Sequence, residues 1–129
     1  MTRKCISSGG PWEEPFGYSR AVRVRNFIAV SGTTAANPDG TIHGEGDAYA
    51  QAKRCFEIIG RALAEAGAGM GDVVRTRMFV TGIAQSEAIM RAHGEFFRDV
   101  RPAATMVEVK ALMRPEMLVE IEAEAVVDE

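Results

Sequence analysis

Strict alternation of apolar and polar residues predicts that the end of the chain is a β-strand with two unlike faces. From Val119 onward, small or branched apolar residues alternate with Glu120, Glu122 and Glu124. Successive side chains of a strand point to opposite faces of a sheet, so the three carboxylates share one face. Residues 105–109 and 117–127 therefore predict a final pair of strands.

Two longer segments repeat apolar residues at intervals of three and four, which is typical of helices packed on one side. The first begins after Asp47, whose carboxylate can accept from first-turn amides, and it ends near residue 66, before Gly67. The second begins with Ser86 as the predicted N-cap and runs to about residue 99. Ile89 and His93 lie on its inner stripe.

The remaining strands are predicted at residues 3–8, 18–25, 27–33 and 72–81, and Arg25-Asn26 predicts a tight hairpin between the second and third. Segment 12–17 has no periodicity and is predicted to be a loop that holds Trp12 and Phe16 against an apolar surface. The order of elements predicts one α+β domain over residues 1–129, with a mixed sheet of about six strands and two helices on one face.

A sheet with helices on one face has a second face that a single chain leaves uncovered. Met78, Met106 and Val107 are predicted to supply apolar side chains to that second face. Burial against further copies of the same chain would remove this surface from water, so we expect a homo-oligomer.

Composition and charge exclude several classes of protein. The chain is 47% hydrophobic and 26% charged, with a formal charge of −3 and no basic cluster, which does not favour a nucleic-acid partner. No apolar run approaches the roughly 20 residues that span a bilayer, so no membrane partner is expected. The first residues have no apolar signal core and predict a cytoplasmic protein. The two cysteines are too few for a disulfide framework.

Candidate chemistry is limited to a few side chains. His43 and His93 have no second ligand at metal-binding spacing, so neither a metal nor another cofactor is expected. His93, on an apolar helix face, is more typical of a packed, hydrogen-bonded residue than of a base. Ser31 lacks the surroundings of a nucleophile. Glu120 could activate a water molecule if it were partly desolvated, whereas Glu122 and Glu124 are expected to face solvent or to pair with arginine.

Several separate segments, in order along the chain, match one pattern. They are Gly-Tyr-Ser-Arg-Ala-Val at 17–22, Asn-Phe-Ile-Ala-Val-Ser-Gly at 26–32, Ala-Gly at 66–67, Asp-Val-Val-Arg-Thr at 72–76, Phe-Phe at 96–97, Arg-Pro-Ala at 101–103, Val-Glu-Val at 107–109 and Val-Glu-Ile-Glu-Ala at 119–123. This pattern, from about residue 16 to 127, resembles the Rid family of YjgF-like reactive-intermediate deaminases.

The resemblance implies a chorismate-mutase-like subunit that assembles into a homotrimer, with three sheets around a central barrel and small-molecule clefts between subunits. In deaminating members, the cleft holds an imine or enamine made from an amino acid, and an arginine after Pro-Ala grips its carboxylate. The resemblance implies that Glu120 is the catalytic residue that places the attacking water. The residues that it implies as lining the cleft are Tyr18, Ser31, Gly32, Ala104, Thr105 and Met106.

The chain departs from the family pattern at the position that binds the substrate. Ala104 stands where the family has arginine and cannot grip a carboxylate, while Met90 and His93 replace an asparagine and a tyrosine. Arg20 and Arg77 are candidates to return a positive charge to the cleft, although each could equally be an exposed strand charge. The substrate is therefore expected to differ.

Three functions follow from these features. The first is hydrolysis of an imine, enamine or related C–N bond, with Glu120 positioning water. The second is a trimer that binds a small metabolite without catalysis, which the missing arginine favours. The third is RNA cleavage, which the negative net charge and the absence of a basic stripe disfavour.

Overall fold

The computed structural model describes residues 2–128 and is organised around one six-stranded mixed sheet. The strands, numbered along the chain, are β1 (Arg3–Ile6), β2 (Ala21–Val24), β3 (Phe27–Thr33), β4 (Val73–Val80), β5 (Ala103–Glu108) and β6 (Val119–Val126). Two long helices, α2 (Ala48–Glu65) and α3 (Ser86–Phe97), pack on one face, and α1 (Glu13–Phe16) is a single turn. The predicted α+β fold is confirmed.

The strand order in the sheet is β1-β2-β3-β6-β4-β5. All neighbours are antiparallel except β4 and β5, which run parallel and are connected through α3. The predicted final strand pair is therefore wrong as a pair, because β4 lies between β5 and β6. A parallel crossover through a helix carries β5 to the far edge of the sheet.

The core lies between the sheet and the two long helices. The apolar positions of β6 are almost completely inaccessible, with Val119 and Ile121 both 0% exposed, so the alternation seen in the sequence is confirmed. They pack in one cluster with Phe56 of α2 and Phe97 of α3. The carboxylates of β6 consequently lie on the opposite side of the sheet, which we call the outer face.

The helix boundaries follow the predicted signals at α2 but not at α3. Asp47 accepts a hydrogen bond from Ala50 N at 3.0 Å, which confirms the predicted cap. Ser86 is not a cap, because it already has helical dihedrals (φ −57°) and Gln85 precedes it without a side-chain cap. A 3-10 turn over Ile83–Gln85 leads the backbone directly into the helix.

The hairpin between β2 and β3 has the predicted two-residue connection, because Val24 pairs directly with Phe27. Arg25 adopts the positive φ of 55°.

The loop predicted at 12–17 is instead largely a helical turn. Trp12 and Phe16 are 61% and 71% exposed and contact each other, with ring centroids 5.8 Å apart.

The outer face carries fewer apolar side chains than predicted. Met78 is 1% exposed and lies in the core, and its parallel partner Met106 packs against the same core, so both predictions are wrong. Met78 and Met106 alternate with outer-face residues along their strands. A shift of one residue places a side chain on the opposite face of the sheet, and the prediction had assigned both methionines to the wrong face. Val107 lies on the outer face beside Phe79 and is 43% exposed, as predicted.

No helix within residues 2–128 is long and apolar enough to cross a membrane.

Candidate functional site

The carboxylate of Glu120 lies directly against the backbone of Gly32. A Cβ atom built on Gly32 would overlap Glu120 Oε2 and would stand 3.1 Å from Cδ and 3.3 Å from Cγ. Only a residue without a side chain therefore allows the carboxylate its position. Two residues that the sequence implicates in the cleft are thus brought into contact within one chain.

An irregularity in β3 creates this contact. Val30 pairs with Ala123 and Thr33 pairs with Ile121, so three steps along β3 match two along β6. The extra residue falls at Ser31-Gly32 and bulges the strand beside Glu120. Ser31 fixes the bulge to the preceding segment, because its N–H donates to Arg20 O at 3.0 Å and its Oγ donates to Ser19 O at 2.6 Å.

The other two carboxylates of β6 are neutralised across the neighbouring strand. Arg75 is paired with Glu124 and Arg77 with Glu122 in the antiparallel register, and the charged atoms lie 3.3 Å and 3.5 Å apart. Arg77 also reaches Glu124 at 3.5 Å. The expectation that Glu122 and Glu124 pair with arginine is confirmed. Arg77 is already matched by carboxylates of its own chain.

Glu120 is different because its partner on β4 is Phe79. A phenyl ring offers neither charge nor a hydrogen bond, and it limits the access of water. Burial raises the pKa of Glu120 above its ordinary value, the charge of Arg20 partly opposes that rise, and Glu122 adds to it. A carboxylate with a raised pKa binds a proton more readily, which suits exchange of protons with a bound molecule.

Arg20 also contacts Gly32. Its Nη2 donates to Gly32 O at 2.6 Å, and its Nε is buried without a partner. Its charge acts on both Glu120 and Glu13, yet it forms no salt bridge with either among residues 2–128. The guanidinium is therefore held by the backbone and stabilises two nearby carboxylates at longer range.

Glu13 is a member of this cluster that the sequence did not reveal. It is 7% exposed and accepts hydrogen bonds from Ser8 N, at 3.2 Å, and from Ser8 Oγ. Burial raises its pKa, but the hydrogen bonds from Ser8 and Ser7 and the charge of Arg20 outweigh burial, so the pKa lies below its ordinary value. Glu13 precedes Tyr18, whose N–H donates to Glu13 O at 2.9 Å and whose side chain is 46% exposed. Only the folded chain reveals the link between residues 8, 13 and 20.

The other predicted cleft residues lie on β5 and α3. Ala104 and Thr105 are exposed on the edge strand, Met106 is half-buried beside the core, and Met90 is 40% exposed on α3. In the parallel register, Ala104 pairs with Thr76, three residues before the partner of Glu120. None of these side chains contributes a charge.

His93 lies inside the helix layer. It is 7% exposed, its Nε2 is 2.9 Å from Thr76 Oγ1, and its ring packs against Phe97 with centroids 4.8 Å apart. Burial lowers its pKa, so the neutral imidazole is favoured. This is the arrangement of a satisfied core histidine.

The predicted site residues therefore form separate groups within the chain. Arg20, Ser31, Gly32 and Glu120 gather at the bulge of β3, and Tyr18 lies two residues before Arg20. The β5 residues lie at the far edge of the sheet, whereas Met90 and His93 lie on α3 in the helix layer. β4 stands between Glu120 and the β5 residues, because Glu120 pairs with Phe79 and Phe79 pairs with Val107. Within the described part of the chain, no group of three or more metal-ligating side chains comes together.

Comparison with known proteins identifies the relationships of this fold. Residues 13–127 match the family model described as endoribonuclease L-PSP. The Streptomyces coelicolor protein SCO2049 is 42% identical over 120 residues, covering 93% of this chain and 89% of its own. The 3-aminoacrylate deaminase RutC of Acinetobacter baylyi is 33% identical over 104 residues, covering 81% of this chain and 82% of its own.

Solved structures agree with these matches. Rv2704 of Mycobacterium tuberculosis, a member of the YjgF/YER057c/UK114 family, superposes with a TM-score of 0.89 at 42% identity, covering 98% of this chain and 100% of its own. The YjgF gene product of Escherichia coli gives a TM-score of 0.78 at 29% identity, covering 95% and 92%.

Proposed function

The chain belongs to the endoribonuclease L-PSP family, which comprises the YjgF-like Rid proteins, and from that premise we propose that it is a homotrimeric deaminase-type hydrolase. Its substrate would be an imine, enamine or compound with a related C–N bond, held in clefts between subunits. The observation that carries the proposal is the desolvated carboxylate of Glu120, seated on Gly32 and left without an arginine partner.

The chemistry needs only water and a proton-transfer group. Glu120 takes a proton from water as the oxygen forms a bond to the imine carbon, and the nitrogen receives a proton. The C–N bond then breaks, ammonia leaves and a carbonyl compound remains, so no oxidant or cofactor is consumed. Positioned acid–base groups of this kind contribute about 100-fold to 10,000-fold in rate.

The separation of the two residue groups supports a cleft shared by neighbouring subunits. One subunit would supply Glu120 from β6, Gly32 from the bulge of β3 and the exposed Tyr18, and β5 of the next subunit would supply Ala104 and Thr105. The exposed Val107 on the outer face supports burial against another copy. A cytoplasmic location, where imines arise from amino-acid and amine metabolism, is part of the same proposal.

The decisive experiment measures imine hydrolysis above the spontaneous rate. Imines are generated in the assay by an amino-acid oxidase or an amine oxidase, and carbonyl or ammonia release is followed with the purified chain. Glu120→Gln is expected to lower the acceleration by about a hundredfold or more. Glu14→Gln is the matched control, because it removes an exposed carboxylate that is not among the groups acting on Glu120. No acceleration by the unaltered chain with either class of imine would refute the proposal.

A small-metabolite-binding trimer without catalysis is the second candidate. Ala104 favours it, because the alanine removes the guanidinium that grips a carboxylate in deaminating members of the family. A ligand at about a hundred times its dissociation constant raises the free energy of unfolding by about 2.7 kcal/mol, which a thermal-shift screen detects. Binding without turnover would favour this candidate over the first.

RNA cleavage is disfavoured despite the description of the family. The net charge is −3, and each arginine on the outer face of β4 pairs with a carboxylate of β6. A positively charged track for phosphates is therefore lacking around Glu120. RNA cleavage that disappears in Glu120→Ala would reverse this conclusion.

A further inference from the structure

The charge balance around Glu120 indicates which class of imine the cleft accepts. Three guanidinium groups and four carboxylates surround this end of the sheet: Arg20, Arg75 and Arg77 against Glu13, Glu120, Glu122 and Glu124. Each arginine already has a protein carboxylate or carbonyl to stabilise. None of these three arginines is left over for a carboxylate of the substrate.

Arg20 is poorly placed to take over the function of the arginine missing at position 104. A guanidinium grips a carboxylate by donating two parallel hydrogen bonds from adjacent nitrogens. In Arg20, Nη2 is engaged with Gly32 O at 2.6 Å and Nε is buried. The edge of the guanidinium formed by Nε and Nη2 is therefore closed to a ligand, and the charge of the whole group already acts on Glu13 and Glu120.

β5 does not supply a positive charge either. Between Ala103 and Glu108 its only charged residue is Glu108, whose Oε1 accepts from Ile83 N at 2.9 Å. Arg101 and Lys110 lie outside the strand on its two sides. A substrate carboxylate would therefore meet excess negative charge on the Glu120 side and apolar or hydroxyl side chains on the β5 side.

We propose, on the basis of the proposed function, that the substrate lacks a carboxylate and is a neutral or protonated imine derived from an amine. Arg20 is then a positioning residue that holds the bulge of β3 and moderates the charge of Glu120. Water adds to the C=N carbon of the protonated imine, the C–N bond breaks, and the products are an aldehyde or ketone and ammonium. The excess negative charge favours the cationic form of such a substrate.

A matched pair of imines tests this selectivity. Leucine treated with an amino-acid oxidase gives an imine with a carboxylate, and 3-methylbutylamine treated with an amine oxidase gives the same side chain without one. We expect the chain to accelerate hydrolysis of the amine-derived imine about tenfold to a hundredfold more than that of the leucine imine. This factor corresponds to the free energy of one charged hydrogen bond, which the carboxylate of the leucine imine would lack in the cleft. Equal or greater acceleration of the leucine imine would overturn the inference and leave the proposed function standing.

Binding gives a readout that is independent of turnover. Isovaleramide and isovalerate have the same shape, and only the second carries a charge. We expect tighter binding of the amide by nuclear magnetic resonance titration. Tighter or equal binding of isovalerate, or no binding of either compound, would overturn the inference even if neither imine were hydrolysed.

A guanidinium at position 104 should reverse the preference. Ala104→Arg is expected to gain isovalerate binding and leucine-imine hydrolysis by at least about tenfold. Ala103→Arg is the control, since it adds the same charge to the adjacent exposed position, on the other side of the strand. A larger gain in Ala104→Arg than in Ala103→Arg would support the inference, and no gain in Ala104→Arg would overturn it, because a missing positive charge would then not be what excludes the carboxylate.

Discussion

Gly32 and Glu120 touch across the junction of β3 and β6, so that a single methyl group on the glycine would occupy the place of the carboxylate oxygen. The contact joins two elements that are nearly ninety positions apart in the chain, and it depends on the bulge at Ser31-Gly32. A substitution at Gly32 can therefore move the carboxylate of Glu120 without changing Glu120 itself.

Gly32→Ala is expected to move Glu120 out of place while the fold persists. The new methyl group meets the end of a flexible side chain, which can rotate away, so the cost in unfolding free energy is about 1 kcal/mol or less. A displacement of about 1 Å lowers turnover by about a hundredfold. Imine hydrolysis and thermal melting measure the two effects.

Gly94→Ala on α3 is the matched control for this substitution. Nothing lies within 4 Å of a Cβ at Gly94, and alanine favours a helix over glycine by about 1 kcal/mol. This variant should be at least as stable as the unaltered chain and fully active. Unchanged turnover in Gly32→Ala would argue against the contact as a functional feature.

The raised pKa of Glu120 predicts how stability depends on pH. Burial favours the protonated carboxyl in the folded chain, so its stabilising contribution is complete below the ordinary value of about 4.5 and is lost as the pH rises through the folded pKa. Glu120→Gln should therefore raise the free energy of unfolding at neutral pH, with the gain vanishing below pH 4.5. Denaturant unfolding at equal protein concentration measures it.

Glu14→Gln provides the comparison for the pH experiment. Glu14 is exposed and lies next to the buried Glu13, so its substitution should change the free energy of unfolding by no more than about 0.5 kcal/mol at either pH. A loss of stability in Glu120→Gln at neutral pH would mean that the carboxylate is stabilised and not penalised by its surroundings.

A trimer should give a mass of three times 14.0 kDa by light scattering. Val107→Asp places a charge in the outer face and should shift the mass toward that of a single chain, because a buried unpaired charge costs several kcal/mol. Ala64→Asp, at an exposed position of α2, should leave the mass unchanged. A single chain in the unaltered protein would exclude clefts between subunits.

Complementation tests whether two subunits build each cleft. Glu120→Ala and Ala104→Trp should each be inactive alone, and their co-expression should restore about a quarter of the activity if neighbouring subunits of a cyclic trimer supply the two positions. Co-expression of Glu120→Ala with the double variant Glu120→Ala/Ala104→Trp should restore no activity, because every cleft then lacks Glu120. No recovery in the first mixture would mean that both positions act within one subunit.

Gln51 should be important for the start of β6. It is completely buried, donates from Nε2 to Gly44 O (3.2 Å) and Glu116 O (3.0 Å), and accepts from Leu118 N at 2.9 Å, two residues before Glu120. Gln51→Leu leaves these backbone groups without partners and should cost about 2 to 4 kcal/mol. Gln85→Leu, at an exposed position, should cost much less, and equal losses in melting temperature would contradict this role.

Periodicity predicted the elements well because it reports which side of each element is buried. The alternation of β6 and the stripe of α2 both place apolar residues in the core. The same signal cannot give the phase of a short apolar strand, which is why Met78 was assigned to the wrong face. Nor does it reveal strand order, and so β4 was not expected between β5 and β6.

The site was only partly predictable for a related reason. Glu120 was singled out, but its difference from Glu122 and Glu124 depends on the antiparallel register that sets Phe79 opposite it. The spacing of Arg75, Arg77 and Phe79 would have revealed this once the two strands were aligned. Glu13 left no signal in the sequence, because its environment is assembled from Ser7 and Ser8, which follow β1, and from the more distant Arg20.

The solvent-facing position of Ala104 has a consequence for how proteins of this fold diversify. Its side chain lies outside the packed interior, so exchanging it for a charged or bulky residue disturbs no core contact. Glu120, by contrast, is confined by a glycine and a phenyl ring. Single replacements at position 104 can thus change which ligand is preferred, while Glu120, the group proposed to act on water, keeps its position.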